Sequence, residues 1–142
     1  MTIERRADPE ADARVSTREA LRFLTRAGRV LSSSLDPDQT LRRLVRLAVP
    51  RVACFAMIDL ARDDGRMQRV AYGHVDEARA PLLDRPEPFD PMEQGLVPMA
   101  RVLAEGSTLL VEDVERDWDG APEILERIRL LGGRSLIIVP LT

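Results

Sequence analysis

The sequence predicts an α+β fold, and three observations carry that reading. Ser135 to Leu141, SLIIVPL, is a short apolar run entered through Gly132 and Gly133, the pattern of a strand covered on both faces. Val52 to Leu60, VACFAMIDL, is a second run of the same kind. Around these two stand segments whose apolar residues recur at three- and four-residue steps, giving the element order ααββ(α)αβαβ.

Composition narrows the function classes. A chain of 142 residues is one domain's worth, able to bury about 70% of its unfolded surface in a single core. Its net charge of -3 supplies no electrostatic attraction for nucleic acid or an anionic membrane, so neither is expected as a partner. All 21 basic residues are Arg, which removes Schiff-base and lysine-nucleophile chemistry. The lone cysteine, Cys54, has no second thiol for a disulfide, a cysteine metal cluster or a redox pair. No apolar run approaches the roughly 18 residues of a membrane span, and no signal core follows Arg5 and Arg6, so the expected location is cytoplasmic.

In chain order, residues 1–15 are rich in Arg, Asp, Glu and Ala and contain Pro9, which reads as a flexible lead-in to a domain spanning 16–142. Ser16 and Glu19 have capping-box spacing, and Ala20, Leu21, Leu24, Ala27 and Leu31 make the stripe of a first helix. That stripe is wide enough to face its own sheet, a partner helix in a homodimer, or both. After a break at Ser32 to Leu35, Asp36-Pro37 opens a second helix, with Leu41, Leu44, Val45 and Ala48 on one side and Pro50 ending it. Arg42, Arg43 and Arg46 lie mostly opposite; they read as a solvated face, with phosphate binding the sharper alternative.

Val52 to Leu60 and Arg66 to Val75, joined through Asp63-Asp64-Gly65, predict an antiparallel hairpin. On the return strand, Met67, Ala71 and Val75 are expected on one face, and Gln68, Val70, Tyr72 and His74 on the other. Asp76 to Pro91, with four prolines and room for a short helix near Glu77 to Leu83, is a stiff crossing segment of the length that often forms a lid. Gly95 to Glu105 predicts a helix with Met99, Val102 and Leu103 inward, and Thr108 to Val111 a short strand. Glu112 to Ala121 is a polar loop around Trp118. Pro122 then opens the last helix, with Ile124, Leu125, Ile128 and Leu131 as its stripe.

The ordered segments VLSSSLDPDQTLRRLVRLAVPRVACFAMIDL, MARVLAEGSTLLVEDVERD and LLGGRSLIIVPL resemble the GAF domain as it occurs in bacterial sensor histidine kinases and related signalling proteins. The resemblance runs from about Leu21 to Leu141. It implies a central antiparallel sheet with helices packed on one face and a loop-covered pocket on the other. It also implies a regulatory, non-enzymatic module of two-component signalling that senses a small molecule, dimerises, or both; the alternative is a ligand-free dimerisation module. The family continues past its VPL strand with further strand and a C-terminal helix, so this chain is expected to be C-terminally truncated, with an output domain downstream of residue 142. By the family's order, Val52 to Leu60 pairs with a strand after the VPL run. Two central edges are therefore expected to stand open, lowering stability or recruiting another chain.

The resemblance places Tyr72, His74, Phe89, Met92, Met99 and Trp118 around the pocket as candidate ligand-binding residues; the alternative is that they only fill that space. No catalytic residue and no metal ligand is assigned, and the cofactor, if any, is unknown. Cys54, early in an apolar strand, reads as a small hydrophobe. Asp113, Asp117 and Asp119 lack the glycine and terminal glutamate of a calcium loop and read as helix-capping residues. The N-K-x-F-D-E signature of cyclic-nucleotide-binding relatives is not found, which makes cyclic nucleotide a minority option.

Overall fold

A computed structural model describes residues 1–5, 22–23, 25–29 and 36–140, and its frame is a five-stranded antiparallel sheet. The strands are β1 (Thr2–Arg5), β2 (Phe55–Ala61), β3 (Met67–His74), β4 (Leu109–Val111) and β5 (Ser135–Ile138), in the spatial order β3-β2-β1-β5-β4.

The centre of this sheet departs from the sequence expectation. Residues 2–5 are a strand, not part of a frayed lead-in, and they fill the slot between the two apolar strands whose edges were expected to stand open. Thr2, Ile3 and Glu4 lie opposite Met57, Ala56 and Phe55 on one side; Thr2 to Arg5 lie opposite Ile138 to Ser135 on the other. The Met1 amino group donates to the Val139 carbonyl at 2.6 Å and the Val139 N–H to the Met1 carbonyl at 2.8 Å, extending the ladder by one step. The physical reason is context: TIER is too short and too charged at Glu4 and Arg5 to announce a strand by itself, but a slot with a waiting ladder on each side satisfies its backbone twice over.

Strand alternation sorts β2 onto two faces. Ala56 and Ile58 point to one layer, where α1 (Pro37–Ala48) lays Leu44, Val45 and Ala48 against them. Phe23 and Ala27, from the helical residues 22–23 and 25–29, join the same cluster. The remaining features expected of the first helix and its break, at 16–21, 24 and 30–35, lie outside the described residues, as do Leu141 and Thr142. Helix α1 starts as its sequence dictates: the Asp36 carboxylate accepts from the N–H groups of Asp38 and Gln39, and Pro37 follows the cap. Arg42, Arg43 and Arg46 are exposed on its outer side.

Phe55, Met57 and Asp59 point to the other layer. This face is covered by short helices as well as by loops: a 3-10 turn (Ala80–Leu83), α2 (Val97–Glu105), α3 (Val114–Asp117) and α4 (Pro122–Leu130). Phe55, Leu83, Val114, Ile128, Leu131 and Leu136 make its core. Phe55 and Ile58 are 1% and 0% exposed on opposite faces, and burial of each stabilises by about 1.5–3 kcal/mol, so β2 ties both layers together. The single turn α3 sits inside the expected polar loop, where Asp113 caps it by accepting from the Glu115 N–H at 3.0 Å. In α2, Val102 is buried as expected, whereas Leu103 is 47% exposed, because the next residue along a helix is rotated by about 100° and falls on the outer side.

The hairpin carries a bulge. Ile58 lies opposite Ala71 but Asp59 opposite Arg69, so Val70 is the extra residue. The expected placing of Val70 and Ala71 on opposite faces of β3 therefore fails, and both pack toward the α1 layer.

Candidate functional site

Between the sheet and the short-helix layer lies a cavity of about 70 Å³. Its floor is β-sheet: Phe55, Met57 and Asp59 from β2, Thr2 from β1, and Leu136 and Ile138 from β5. Leu82, Leu83 and Arg85 from the crossing segment, Met99 from α2, Trp118 after α3, and Ile124, Arg127 and Ile128 from α4 close it over. The lining is mostly apolar, with its charges at one side.

Those charges begin with an ion pair set by the bulge. Arg69 Nε donates to Asp59 Oδ1 at 2.8 Å and Nη2 to Oδ2 at 3.1 Å, while Nη1 donates to the Leu83 carbonyl at 2.7 Å. Both side chains are nearly inaccessible, at 9% and 2% exposed. The planar guanidinium is thus engaged on each of its nitrogens and braces the 3-10 turn against the sheet.

Arg85 is held differently. Its guanidinium carbon stands 4.5 Å from the centre of the Phe89 ring, a cation-π contact, and its Nη1 is buried with no hydrogen-bond partner among the described residues. Burial, then repulsion from Arg69 and Arg127, lowers its pKa from the ordinary arginine value, with Asp59 opposing. A buried donor without an acceptor costs about 1–3 kcal/mol unless water or a ligand supplies one.

The roof is locked by close backbone contact. Trp118 Nε1 donates to the Ala121 carbonyl at 3.1 Å, and the Ala121 N–H donates to the Gly95 carbonyl at 2.9 Å. Gly95 has φ of +70°, and a Cβ there would lie 2.2 Å from the Ala121 Cβ. The indole therefore offers the cavity its apolar surface, its one donor being already used.

Of the six residues singled out in the sequence, Met99 and Trp118 line this cavity. Phe89, 4% exposed, stands behind it as the platform for Arg85. Tyr72 is 40% exposed and outside the lining; burial and the neighbouring, hydrogen-bonded Asp84 raise its phenol above the usual value. Met92 is exposed on a turn. His74 is buried, stacked on Phe55 at 6.0 Å, with both nitrogens engaged: Nδ1 accepts from the Asp76 N–H at 2.8 Å, which leaves Nε2–H to donate to the Leu131 carbonyl at 2.7 Å. Cys54 Sγ approaches the same carbonyl at 3.9 Å from within the core.

The sequence reading missed Asp59, Arg69, Arg85 and Arg127. Asp59 was findable, as the one charge on an otherwise apolar strand; Arg85 and Arg127, in a chain with 21 arginines, carried no distinguishing signal.

An antiparallel sheet with a helical layer on one face and a cavity on the other, roofed here by short helices as well as loops, agrees with the architecture the resemblance implied, and the GAF domain family model matches residues 34–142. The chain belongs to the GAF domain family. No curated protein and no solved structure is a significant match. GAF domains are regulatory signalling and ligand-binding modules, and the cavity of this one lies on the face opposite α1. Among the described residues, no helix is long and apolar enough to cross a membrane.

Proposed function

We propose that this GAF domain is a cytoplasmic, non-enzymatic sensor whose cavity takes a small molecule and whose occupancy sets the activity of a signalling output, as in two-component systems. The observation that carries the reading is the cavity itself: a mostly apolar space lined by Arg85, whose buried Nη1 has no acceptor among the described residues. Met99 and Trp118 contact the ligand in this reading, and Phe89 holds Arg85 toward it. Homodimerisation transmits the signal.

A second reading, a dimerisation module with a filled core, is favoured by one observation. The cavity holds about 70 Å³, well below the roughly 300–1,000 Å³ of sites for drug-sized ligands.

Native mass spectrometry of the purified chain, followed by titration of a metabolite panel against the emission of Trp118, separates the two. Trp118 is the sole tryptophan, so its emission reports this site. Sensing predicts a bound mass or a saturable change in emission. A chain that dimerises, carries no bound mass and leaves its indole signal unmoved by every compound is a scaffold.

A further inference from the structure

The ligand's chemical class follows from charge and volume. Arg69, Arg85 and Arg127 line the cavity against one carboxylate, Asp59, and that carboxylate is consumed by Arg69 through two hydrogen bonds. The excess is positive, and it is not shared evenly. Arg69 is saturated, whereas Arg85 stands on Phe89 and keeps a nitrogen with no hydrogen-bond partner among the described residues. Arg127 comes from the facing helix α4, and its charge reaches Arg85. Apart from Thr2, the rest of the lining is aliphatic, thioether and aromatic side chains. A volume of about 70 Å³ is near that of five water-sized spheres, enough for a molecule of about five to eight non-hydrogen atoms.

We propose that the cavity binds a short-chain monocarboxylic acid, its carboxylate on the Arg85 guanidinium with Arg127 adding charge, and its hydrocarbon tail between Trp118, Phe55, Leu136 and Ile128. The planar carboxylate matches a guanidinium edge, and a charge-assisted hydrogen bond is the strong kind. An anion there also offsets the mutual repulsion of the three arginines, which water does not do. A zwitterionic amino acid fits worse, because its ammonium group would meet arginines and hydrocarbon. The proposal rests on reading the cavity as a ligand site and adds which ligand it selects.

The test pairs each acid with its neutral isostere. Propionate, butyrate, valerate, isovalerate and hexanoate are titrated calorimetrically and by Trp118 emission into the 142-residue chain, beside the corresponding amides and inorganic phosphate. At least one acid is expected to bind at least tenfold more tightly than its amide. Arg85→Gln is expected to weaken that acid by about ten- to a hundredfold and to leave the amide unchanged. Arg85→Lys should restore part of the loss. Should Arg85→Gln fail to fold, the acid and amide comparison on the unaltered chain decides alone. Equal binding of acid and amide, or phosphate bound in preference to every acid, overturns the carboxylate assignment while leaving the cavity a ligand site. No binding by either series, with no co-purifying mass, overturns both.

Discussion

Asp59 and Arg69 face each other across the β2–β3 hairpin only because Val70 is bulged out of register, and the resulting pair is bidentate and almost wholly buried. Taking two charges out of water is costly, and geometry of this quality is what compensates it. Asp59→Leu alone leaves the Arg69 guanidinium buried without its counterion and is expected to cost about 3–5 kcal/mol. The double variant Asp59→Leu/Arg69→Met should recover most of that loss. Urea unfolding of the two singles and the double checks this, and a double variant as unstable as the sum of its singles would contradict it.

That pair also shows what the sequence could not disclose. Strict alternation along β3 puts a valine opposite Asp59 and keeps Arg69 off the cavity side; one inserted residue reverses the assignment, and nothing in MQRVAYGH announces a bulge. The apolar strands, the capped helix at Asp36-Pro37 and the glycine release at Gly132 were legible because periodicity and local turn chemistry act within a few residues. Strand β1 was not, since its stability comes from a slot built by segments more than fifty residues away. Trp118 and Met99 were picked out by type. Arg85 became visible only once Phe89 and α4 were placed around it.

Strand β1 carries the second prediction. Deleting residues 1–5 removes three register pairs with β2 and four with β5, together with the half-buried Ile3. With backbone hydrogen bonds contributing about 0.5–1.5 kcal/mol each, the expected loss is about 3–5 kcal/mol. The two bared edges should also promote self-association, visible by sedimentation. An unchanged denaturant midpoint and an unchanged sedimentation profile in the deletion would show that the strand is not part of the stable sheet.

Gly95 and Gly65 both have positive φ, but only Gly95 is crowded, by Ala121. Ala at position 65 should cost about 1 kcal/mol, the strain of a left-handed alanine alone. Ala at position 95 should cost about 2–4 kcal/mol, since strain and overpacking combine, and should shift Trp118 emission as the roof moves. Equal stabilities for the two variants would rule out the tight Gly95–Ala121 contact.

On the surface, Arg129 holds Glu115 through two hydrogen bonds of 2.6 Å, and the carboxyl is depressed below its ordinary value near 4.5, first by those bonds. A carboxylate whose folded value lies below its unfolded one contributes stability above the unfolded value and loses it as pH falls through the folded one. Arg129→Met should therefore lower stability slightly at neutral pH and leave it unchanged well below pH 4. A pH-independent difference between the two proteins would speak against the pairing.

The sensing account turns on where a small acid lands. Two-dimensional ¹⁵N NMR during titration with isovalerate and its longer and shorter homologues resolves the single indole N–H of Trp118 and the arginine side chains. Saturable shifts at Trp118 and Arg85, with α1 resonances unmoved, are the predicted result. Shifts confined to exposed arginines such as Arg42 and Arg46, or none across the series, would contradict it.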